Sequence, residues 1–273
     1  MENRMKFGIC NEMFKEWSFE KIIDYVVKIG YDGIEIAPFT LAQDVNEIPS
    51  ARRAEIRSLA EENNLEIIGL HWLLASPKGL SVSSPDKKIR AKTSEYLKDL
   101  INFCADLDGR IMVFGSPKQR DISSSSNYGE TYNYVRDGFL EILPLAEKRK
   151  VTIALEPLTK KETNFVNTAG EAMKMIKEIN HPNFRLHLDV KAMCGEEKSI
   201  PEIIESSKDY LAHFHANDPN LLGPGFGRVD YQPIKQSLRK IGYHHYLSVE
   251  VFDFSPGPKI IAEKSIEYLK KIF

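Results

Sequence analysis

The fold is decided by a repeat that is clearest in Val151-Thr-Ile-Ala-Leu-Glu156 and Arg185-Leu-His-Leu-Asp189, two short apolar runs that each end in an acid. Between them lies a helical segment that Thr168 caps and that stops near Asn180-His-Pro182. Short apolar runs bounded by turn residues are typical of buried strands. Since a strand–helix–strand order joins parallel strands through a crossover, this stretch predicts one βαβ unit.

The same unit recurs along the whole chain. Strands are predicted at residues 6–10, 33–37, 65–71, 110–115, 151–156, 185–189, 211–215 and 246–251. Helices are predicted at residues 18–29, 50–63, 86–107, 129–149, 168–180, 200–208, 231–241 and 257–271, and residues 116–129 as a polar loop. Eight such pairs in 273 residues predict a single (β/α)8 TIM barrel that forms one domain over residues 1–273. A doubly wound open sheet is the alternative, but no glycine-rich fingerprint follows an early strand.

Composition and cysteine usage narrow the class of protein. The chain has 37 Lys and Arg against 39 Asp and Glu, a net charge of −2, which argues against a nucleic-acid partner and favours a small molecule. Cys10, Cys104 and Cys194 form neither a disulfide framework nor a CxxC site, which predicts reduced thiols in a cytoplasmic protein. Met1 to Lys6 precede no signal-peptide core, and no apolar run predicts a membrane span.

Four polar residues end the last four predicted strands: Glu156, Asp189, His215 and Glu250. The carboxyl ends of barrel strands meet at one face, where active sites of this fold lie. An ionised carboxylate after an apolar run is costly unless it is paired or bound to a cation. Any one of these acids could be a loop residue or a helix cap, but four on successive strands favour a shared site. The donor set predicts one divalent ion, Mn²⁺, Mg²⁺ or Co²⁺, with Zn²⁺ as an alternative.

These residues carry a resemblance to a known family. The chain, most clearly from about residue 150 to 252, resembles the xylose isomerase-like TIM barrel superfamily of sugar isomerases and epimerases, and within it the ketose 3-epimerases. The Glu156-Pro157 pair and the His213-Phe-His215 pair match its motifs. The resemblance implies that Glu156, Asp189, His215 and Glu250 hold one metal ion, and that the protein forms a homodimer or homotetramer.

The resemblance also implies which residues contact the substrate. At two positions this chain differs from the family's pattern. Glu162 and Phe252 match residues that contact the sugar in the family. At two positions where the 3-epimerases carry a sugar-contacting His and Arg, this chain has Ala192 and Leu221. The substrate is therefore expected to be a sugar or sugar derivative, without a specific ketose being implied.

The implied reaction is epimerisation or isomerisation of a sugar through a metal-bound enediolate. A divalent ion acidifies the C–H next to a ketose carbonyl, one glutamate of the pair Glu156 and Glu250 removes that proton, and the other returns one. An inosose dehydratase-like lyase could use the same metal site and expel a hydroxyl. A DNA-repair enzyme like the AP endonucleases is disfavoured by the charge of −2 and by the few histidines at the predicted rim. A non-catalytic sugar-binding barrel is disfavoured because all four ligands are present.

Further candidates lie on the same face. His71 and Trp72 end the third strand and could bind a hydroxyl and stack on a sugar ring, although a packed core pair would look the same. Asn217 and Asp218 are candidates for polar contacts with the substrate. Arg120 and Arg228 lie on glycine-containing loops where they could bind an anion. His187 and His213 could support the site from within the barrel, and Glu35, which ends the second strand, could reach the rim.

Overall fold

The computed structural model describes residues 4–273, so part of the N-terminal segment discussed above, residues 1–3, lies outside the described residues. Eight parallel strands form a closed barrel in chain order, which confirms the predicted (β/α)8 fold. The strands are β1 Lys6–Cys10, β2 Gly33–Ile36, β3 Glu66–Leu70, β4 Ile111–Phe114, β5 Thr152–Leu155, β6 Phe184–Asp189, β7 Leu211–Ala216 and β8 Tyr246–Val249.

Helices follow the strands around the outside of the barrel. They are α1 Phe19–Ile29, α2 Ser50–Glu62, α3 Lys87–Asp106, α4 Pro117–Arg120, α5 Tyr128–Arg149, α6 Ala169–Ile179, α7 Val190–Met193, α8 Ile200–Ser206, α9 Tyr231–Lys240 and α10 Pro258–Ile272. None of these helices within residues 4–273 has both the length and the apolarity needed to cross a membrane.

The helix ends follow local sequence signals. Ser18, Asp86 and Thr168 each accept a hydrogen bond from a backbone N–H of the first turn that follows, which satisfies donors that a helix start leaves free. Gly30 ends α1 with a φ of 95°, a conformation that glycine adopts without strain. These caps explain why the predicted helix boundaries agree closely with the observed ones.

Two short helices were not predicted. The segment predicted as a polar loop from residue 116 contains α4, where Pro117 occupies the first turn, a position that suits proline. The α7 helix begins directly after β6, because the side chain of Asp189 accepts a hydrogen bond from the backbone N–H of Ala192 at 2.7 Å. Both helices lie at the carboxyl ends of strands, and therefore at the face where the predicted site residues lie.

The strand register brings the predicted ligands side by side. Asp189 of β6 pairs with His215 of β7, and His215 pairs with Ser248 of β8. Because side chains alternate along a strand, His187 and His213 point to the same side as these two residues, one step deeper in the barrel. The fold thus stacks a polar layer of histidines beneath the carboxylates at the rim.

Strands β3 and β4 approach each other closely at Gly69. A Cβ added to this glycine would lie 1.8 Å from the carbonyl oxygen of Ile111 and 2.6 Å from its carbonyl carbon. Main-chain atoms of a barrel strand cannot move aside as the tip of a side chain can. Only glycine therefore fits at this position.

We expect Gly69→Ala to lower the free energy of unfolding by about 1–3 kcal/mol or more, because the added methyl group forces the two strands apart. Urea titration followed by circular dichroism measures this change. Gly138→Ala is the matched control, since a Cβ there meets no atom within 4 Å and alanine favours the helix interior by about 0.5–1 kcal/mol. Equal stabilities for the two variants would contradict the close approach.

Candidate active site

Four side chains from successive strands converge at the carboxyl end of the barrel. Ligand atoms of Glu156, Asp189, His215 and Glu250 all lie within 4.8 Å of one another. Each of these residues is buried, with 5% or less of its surface exposed. The structure therefore brings together the four residues that the strand ends single out in the sequence.

The three carboxylates of this group oppose one another electrostatically. Burial raises the pKa of Glu156 well above its usual value, and the nearby charges of Glu250 and Asp189 raise it further. Burial likewise raises the pKa of Asp189. For Glu250, burial acts in the same direction, but His215 outweighs it and holds the pKa well below the usual value. Such a group is stable with all its acids ionised only if a cation sits among them.

His215 is held between two carboxylates. Its Nδ1 lies 3.0 Å from Glu250 Oε2, and its Nε2 lies 3.2 Å from Glu35 Oε2. Glu35 also lies 2.6 Å from His213 Nε2. Burial acts to raise the pKa of Glu35, but the two histidines lower it well below the usual value. An ionised Glu35 accepts a hydrogen bond from the Nε2–H of His215. This leaves Nδ1 as the ring nitrogen that faces the four-residue group.

Asp189 is fixed by the loop residues around it. Its Oδ1 accepts the 2.7 Å hydrogen bond from Ala192, and its Oδ2 accepts one from the Asn217 side chain. The Asn217 amide oxygen in turn accepts a hydrogen bond from the backbone N–H of Lys191 at 2.8 Å. Asn217 is fully buried and holds Asp189 in place, which differs from the substrate contact predicted for it.

The predicted substrate contacts Asp218 and Arg228 lie in the loop after β7. The carboxylate of Asp218 accepts a 3.0 Å hydrogen bond from the backbone N–H of Val229. A Cβ at Gly227 would lie 1.9 Å from that carboxylate, so Asp218 is packed inside its own loop. Arg228 is exposed in the same loop. Asp218 therefore organises the loop after β7 instead of facing the four-residue group.

Aromatic side chains form the rim above the group. Trp72 donates a 3.0 Å hydrogen bond from Nε1 to Glu250 Oε1 while 39% of its surface is exposed. Its ring lies 5.8 Å from that of Phe39 and 6.4 Å from that of Phe252. Trp72 has a φ of 53°, an unusual value for a bulky residue that often occurs at functional sites. The predicted residues Trp72 and Phe252 thus meet at one wall of the site.

A partly buried ion pair lies next to this wall. Lys191 Nζ lies 2.5 Å from Glu162 Oε1 and 3.9 Å from the centre of the Phe252 ring. Burial acts to raise the pKa of Glu162, but Lys191 and Thr159 lower it below the usual value. Glu162 is therefore an acceptor in this position. Lys191 was not predicted, since a single lysine carries no signal of its own in the sequence.

His71 connects Glu250 with a carboxylate that was not predicted. Its Nδ1 lies 3.3 Å from Glu250 Oε1, and its Nε2 lies 3.0 Å from Glu12 Oε2, although without hydrogen-bond geometry. Burial acts to lower the pKa of His71, but Cys10 and Glu12 outweigh it. Burial raises the pKa of the Cys10 thiol to about 12. The rule that found the other acids misses Glu12, because Glu12 lies two residues beyond β1 and not directly after it.

Comparison with known proteins identifies the family. Residues 23–272 match the family described as Xylose isomerase-like TIM barrel. The chain belongs to this family. D-psicose 3-epimerase of Agrobacterium fabrum is 29% identical over 253 residues, which cover 91% of this chain and 85% of that protein. The 3-dehydro-D-guloside 4-epimerase of Escherichia coli is 21% identical over 90% of this chain and 92% of that protein.

A solved structure supports the same relationship. The structure of D-psicose 3-epimerase with D-tagatose from Clostridium cellulolyticum H10 superimposes with a TM-score of 0.86 and 25% identity, and 98% of each chain is covered. The resemblance to the xylose isomerase-like barrels and to the ketose 3-epimerases is thereby confirmed. The similarity extends over nearly the whole barrel, so it includes all four strand ends that form the group.

Two further candidate residues, Arg120 and His187, are fully buried in this xylose isomerase-like barrel. Arg120 is fully buried and donates hydrogen bonds to the carbonyl oxygens of Glu156, at 2.6 Å, and Val166, at 3.3 Å. The predicted role of Arg120 in binding an anion is therefore wrong, because its guanidinium holds main chain behind the site. His187 is also fully buried, and burial lowers its pKa well below the usual value, which keeps its imidazole neutral.

Cavity size does not locate the site in this barrel. A cavity of about 950 Å³ opens at the opposite end, and residues from the amino ends of the strands line it, including Glu66, Arg185 and His245. None of the four converging residues lines that cavity. The four converging side chains, and not the volume of a cavity, mark the carboxyl end of the barrel as the candidate active site.

We expect Glu35→Gln to lower the free energy of unfolding of the metal-free protein by about 1–3 kcal/mol at neutral pH, because it removes the buried carboxylate that accepts hydrogen bonds from His213 and His215. Urea unfolding in the presence of a chelator measures the change. Glu66→Gln is the control, because Glu66 forms an exposed pair with Lys6 on the barrel surface and such pairs contribute about 0–1 kcal/mol. A similar loss for both variants would contradict the role of Glu35.

Proposed function

We propose that the protein is a divalent-metal-dependent sugar epimerase or isomerase that transfers a proton at the carbon next to a ketose carbonyl. The observation that carries this proposal is the convergence of Glu156, Asp189, His215 and Glu250 within 4.8 Å. The named activities of the relatives, D-psicose 3-epimerase among them, support a sugar as the substrate. They also support assigning the protein to the isomerases.

The donor set fits a divalent ion. Three carboxylates and one imidazole are ligands that suit Mn²⁺, Mg²⁺ or Co²⁺, with Zn²⁺ as an alternative. The raised pKa values of Glu156 and Asp189 result from burial and mutual repulsion, which a cation at their centre would relieve. When bound, such an ion would polarise the ketose carbonyl and an adjacent hydroxyl as a Lewis acid.

We assign the transfer of the proton to Glu156 and Glu250. They follow strands β5 and β8, on either side of β6 and β7, so a substrate over the group has one glutamate at each flank. An inversion through an enediolate requires one carboxylate that removes a proton and a second that returns one. The direction of the reaction decides which glutamate acts first.

The rim residues fit the binding of a sugar. Trp72 and Phe252 offer apolar ring faces, which suit the C–H face of a sugar. Glu162, kept ionised beside Lys191, accepts hydrogen bonds from hydroxyl groups. His71 would hold the Glu250 carboxylate in position through its hydrogen bond to Glu250 Oε1. These roles are proposals for Glu162, His71, Trp72 and Phe252, and the substrate contacts of Asn217, Asp218 and Arg228 stay predictions.

Isotope exchange tests the reaction. We expect ketoses incubated with the protein and Mn²⁺ or Co²⁺ in deuterated water to gain one deuterium at the carbon next to the carbonyl, as detected by NMR. A chelator should abolish the exchange, and added metal should restore it. Epimerisation without exchange, or exchange that survives chelation, would overturn the proposal. A deuterated product that lacks a hydroxyl would instead identify an inosose dehydratase-like lyase.

Substitution of the two glutamates tests the assignment of the bases. We expect Glu156→Gln and Glu250→Gln each to lower kcat by about 10²–10⁴-fold, because an amide cannot exchange the proton. Glu95→Gln, on the exposed surface of α3, is the control and should keep the parent rate. Circular dichroism verifies the fold of each variant. Near-parent turnover by either active-site variant would refute the assignment.

Three broader expectations accompany this proposal. We treat residues 1–273 as a single domain, the location as cytoplasmic and the assembly as a homodimer or homotetramer. No nucleic acid or membrane partner is proposed.

A further inference from the structure

A second group of metal-binding side chains lies beside the first. Ligand atoms of Cys10, Glu12 and His71 lie within 4.8 Å of one another. They come from the ends of β1 and β3, on the side of the barrel opposite Glu156 and Asp189. All three residues are buried, with 2% or less of their surface exposed. None of them belongs to the four-residue group proposed to act in the reaction.

The polar atoms of this second group lack hydrogen-bond partners. Among the described residues, neither carboxylate oxygen of Glu12 nor Nε2 of His71 accepts or donates a hydrogen bond. Yet Glu12 Oε2 and His71 Nε2 face each other at 3.0 Å. A buried carboxylate without donors is costly. The contact is favourable only with a positive charge between the two atoms, either a proton or a metal ion.

The orientation of His71 favours the metal ion. Its Nδ1 lies 3.3 Å from Glu250 Oε1, and this carboxylate accepts a hydrogen bond from the Nδ1–H. The lone pair of Nε2 then points towards Glu12 and Cys10. Histidines that bind metal ions usually donate their other ring N–H to a carboxylate in this way.

The charge of the surroundings adds to this preference. Six buried acids lie in this end of the barrel: Glu12, Glu35, Glu156, Asp189, Asp218 and Glu250. His213 and His215 lie against Glu35, and one divalent ion in the four-residue group would neutralise two further charges without reaching Glu12. Glu12 lies beyond Glu250 and the ring of His71 from that ion. It therefore needs a cation of its own.

We infer that Cys10, Glu12 and His71 form a second, separate metal site for an ion of the zinc class. A thiolate, an imidazole and a carboxylate are the ligand types that Zn²⁺ takes, in tetrahedral sites with room for one further ligand. Binding converts the Cys10 thiol to a thiolate and releases its proton to solvent. The site would couple the end of β1 to Glu250 through His71. The inference does not depend on the reaction proposed above.

Cobalt distinguishes the two sites, because only the second contains a sulfur ligand. We expect the metal-free full-length protein titrated with Co²⁺ to develop the near-ultraviolet thiolate-to-cobalt absorption. Cys10→Ser should lose this band, and Cys104→Ser and Cys194→Ser should keep it. Asp189→Asn should also keep it, since this variant weakens only the four-residue group. That variant separates a failure of this site from a failure of the proposed function.

Metal counting gives a second measurement that does not depend on the spectrum or on activity. Elemental analysis after equilibration with Mn²⁺ and Zn²⁺ should give about two ions per chain, falling to about one in Cys10→Ser and in Glu12→Gln. Glu12→Gln keeps the test informative if Cys10→Ser does not fold. A cobalt-loaded protein without the band, a band that persists in Cys10→Ser, or a single ion per chain would overturn the inference. A protonated His71 bridging Glu12 and Glu250 would produce this negative outcome.

Discussion

Repulsion among buried carboxylates is the constraint on which the active end of this barrel depends. Glu156, Asp189 and Glu250 are within reach of a single ion, and little water reaches them to screen their charges. In that setting each acid must have a positive partner or take up a proton. The surrounding residues supply only part of what is needed: two imidazoles beside Glu250, and backbone and amide N–H groups beside Asp189. Glu156 has the weakest support, which its raised pKa reflects.

The barrel holds these buried carboxylates close together because its strands are rigid and in register. Asp189 and His215 are paired across β6 and β7, so neither can move away from the other without breaking strand hydrogen bonds. The layer beneath them is made of His187 and His213 instead of aliphatic residues. His213 shares Glu35 with His215, so the deeper layer orients the imidazole in the layer above. The charged rim is therefore supported by a polar core, which a stable fold tolerates where function requires it.

The sequence was sufficient for features that follow from periodicity and from strand ends. It predicted the closed barrel and the four converging residues, because a polar residue directly after an apolar run has few other reasons to be there. It was insufficient where the direction of a side chain depends on a loop. Arg120 turns inward to bind main-chain carbonyl oxygens, and Asp218 folds back on its own loop. Glu12 was missed because it lies two residues past its strand, where only the conformation of the loop decides whether an acid is buried.

Loop conformation also bears on which sugar the site would accept. The resemblance implies an arginine at the position of Leu221, yet here the residue has a φ of 72° and its carbonyl oxygen accepts hydrogen bonds from the backbone N–H groups of Phe252 and Asp253. This position therefore ties the loops after β7 and β8 together through main chain. At the rim, Lys191 is paired with Glu162, so its charge is already balanced. A rim built from this ion pair and two aromatic rings is suited to the hydroxyl groups and C–H faces of a sugar within the proposed reaction.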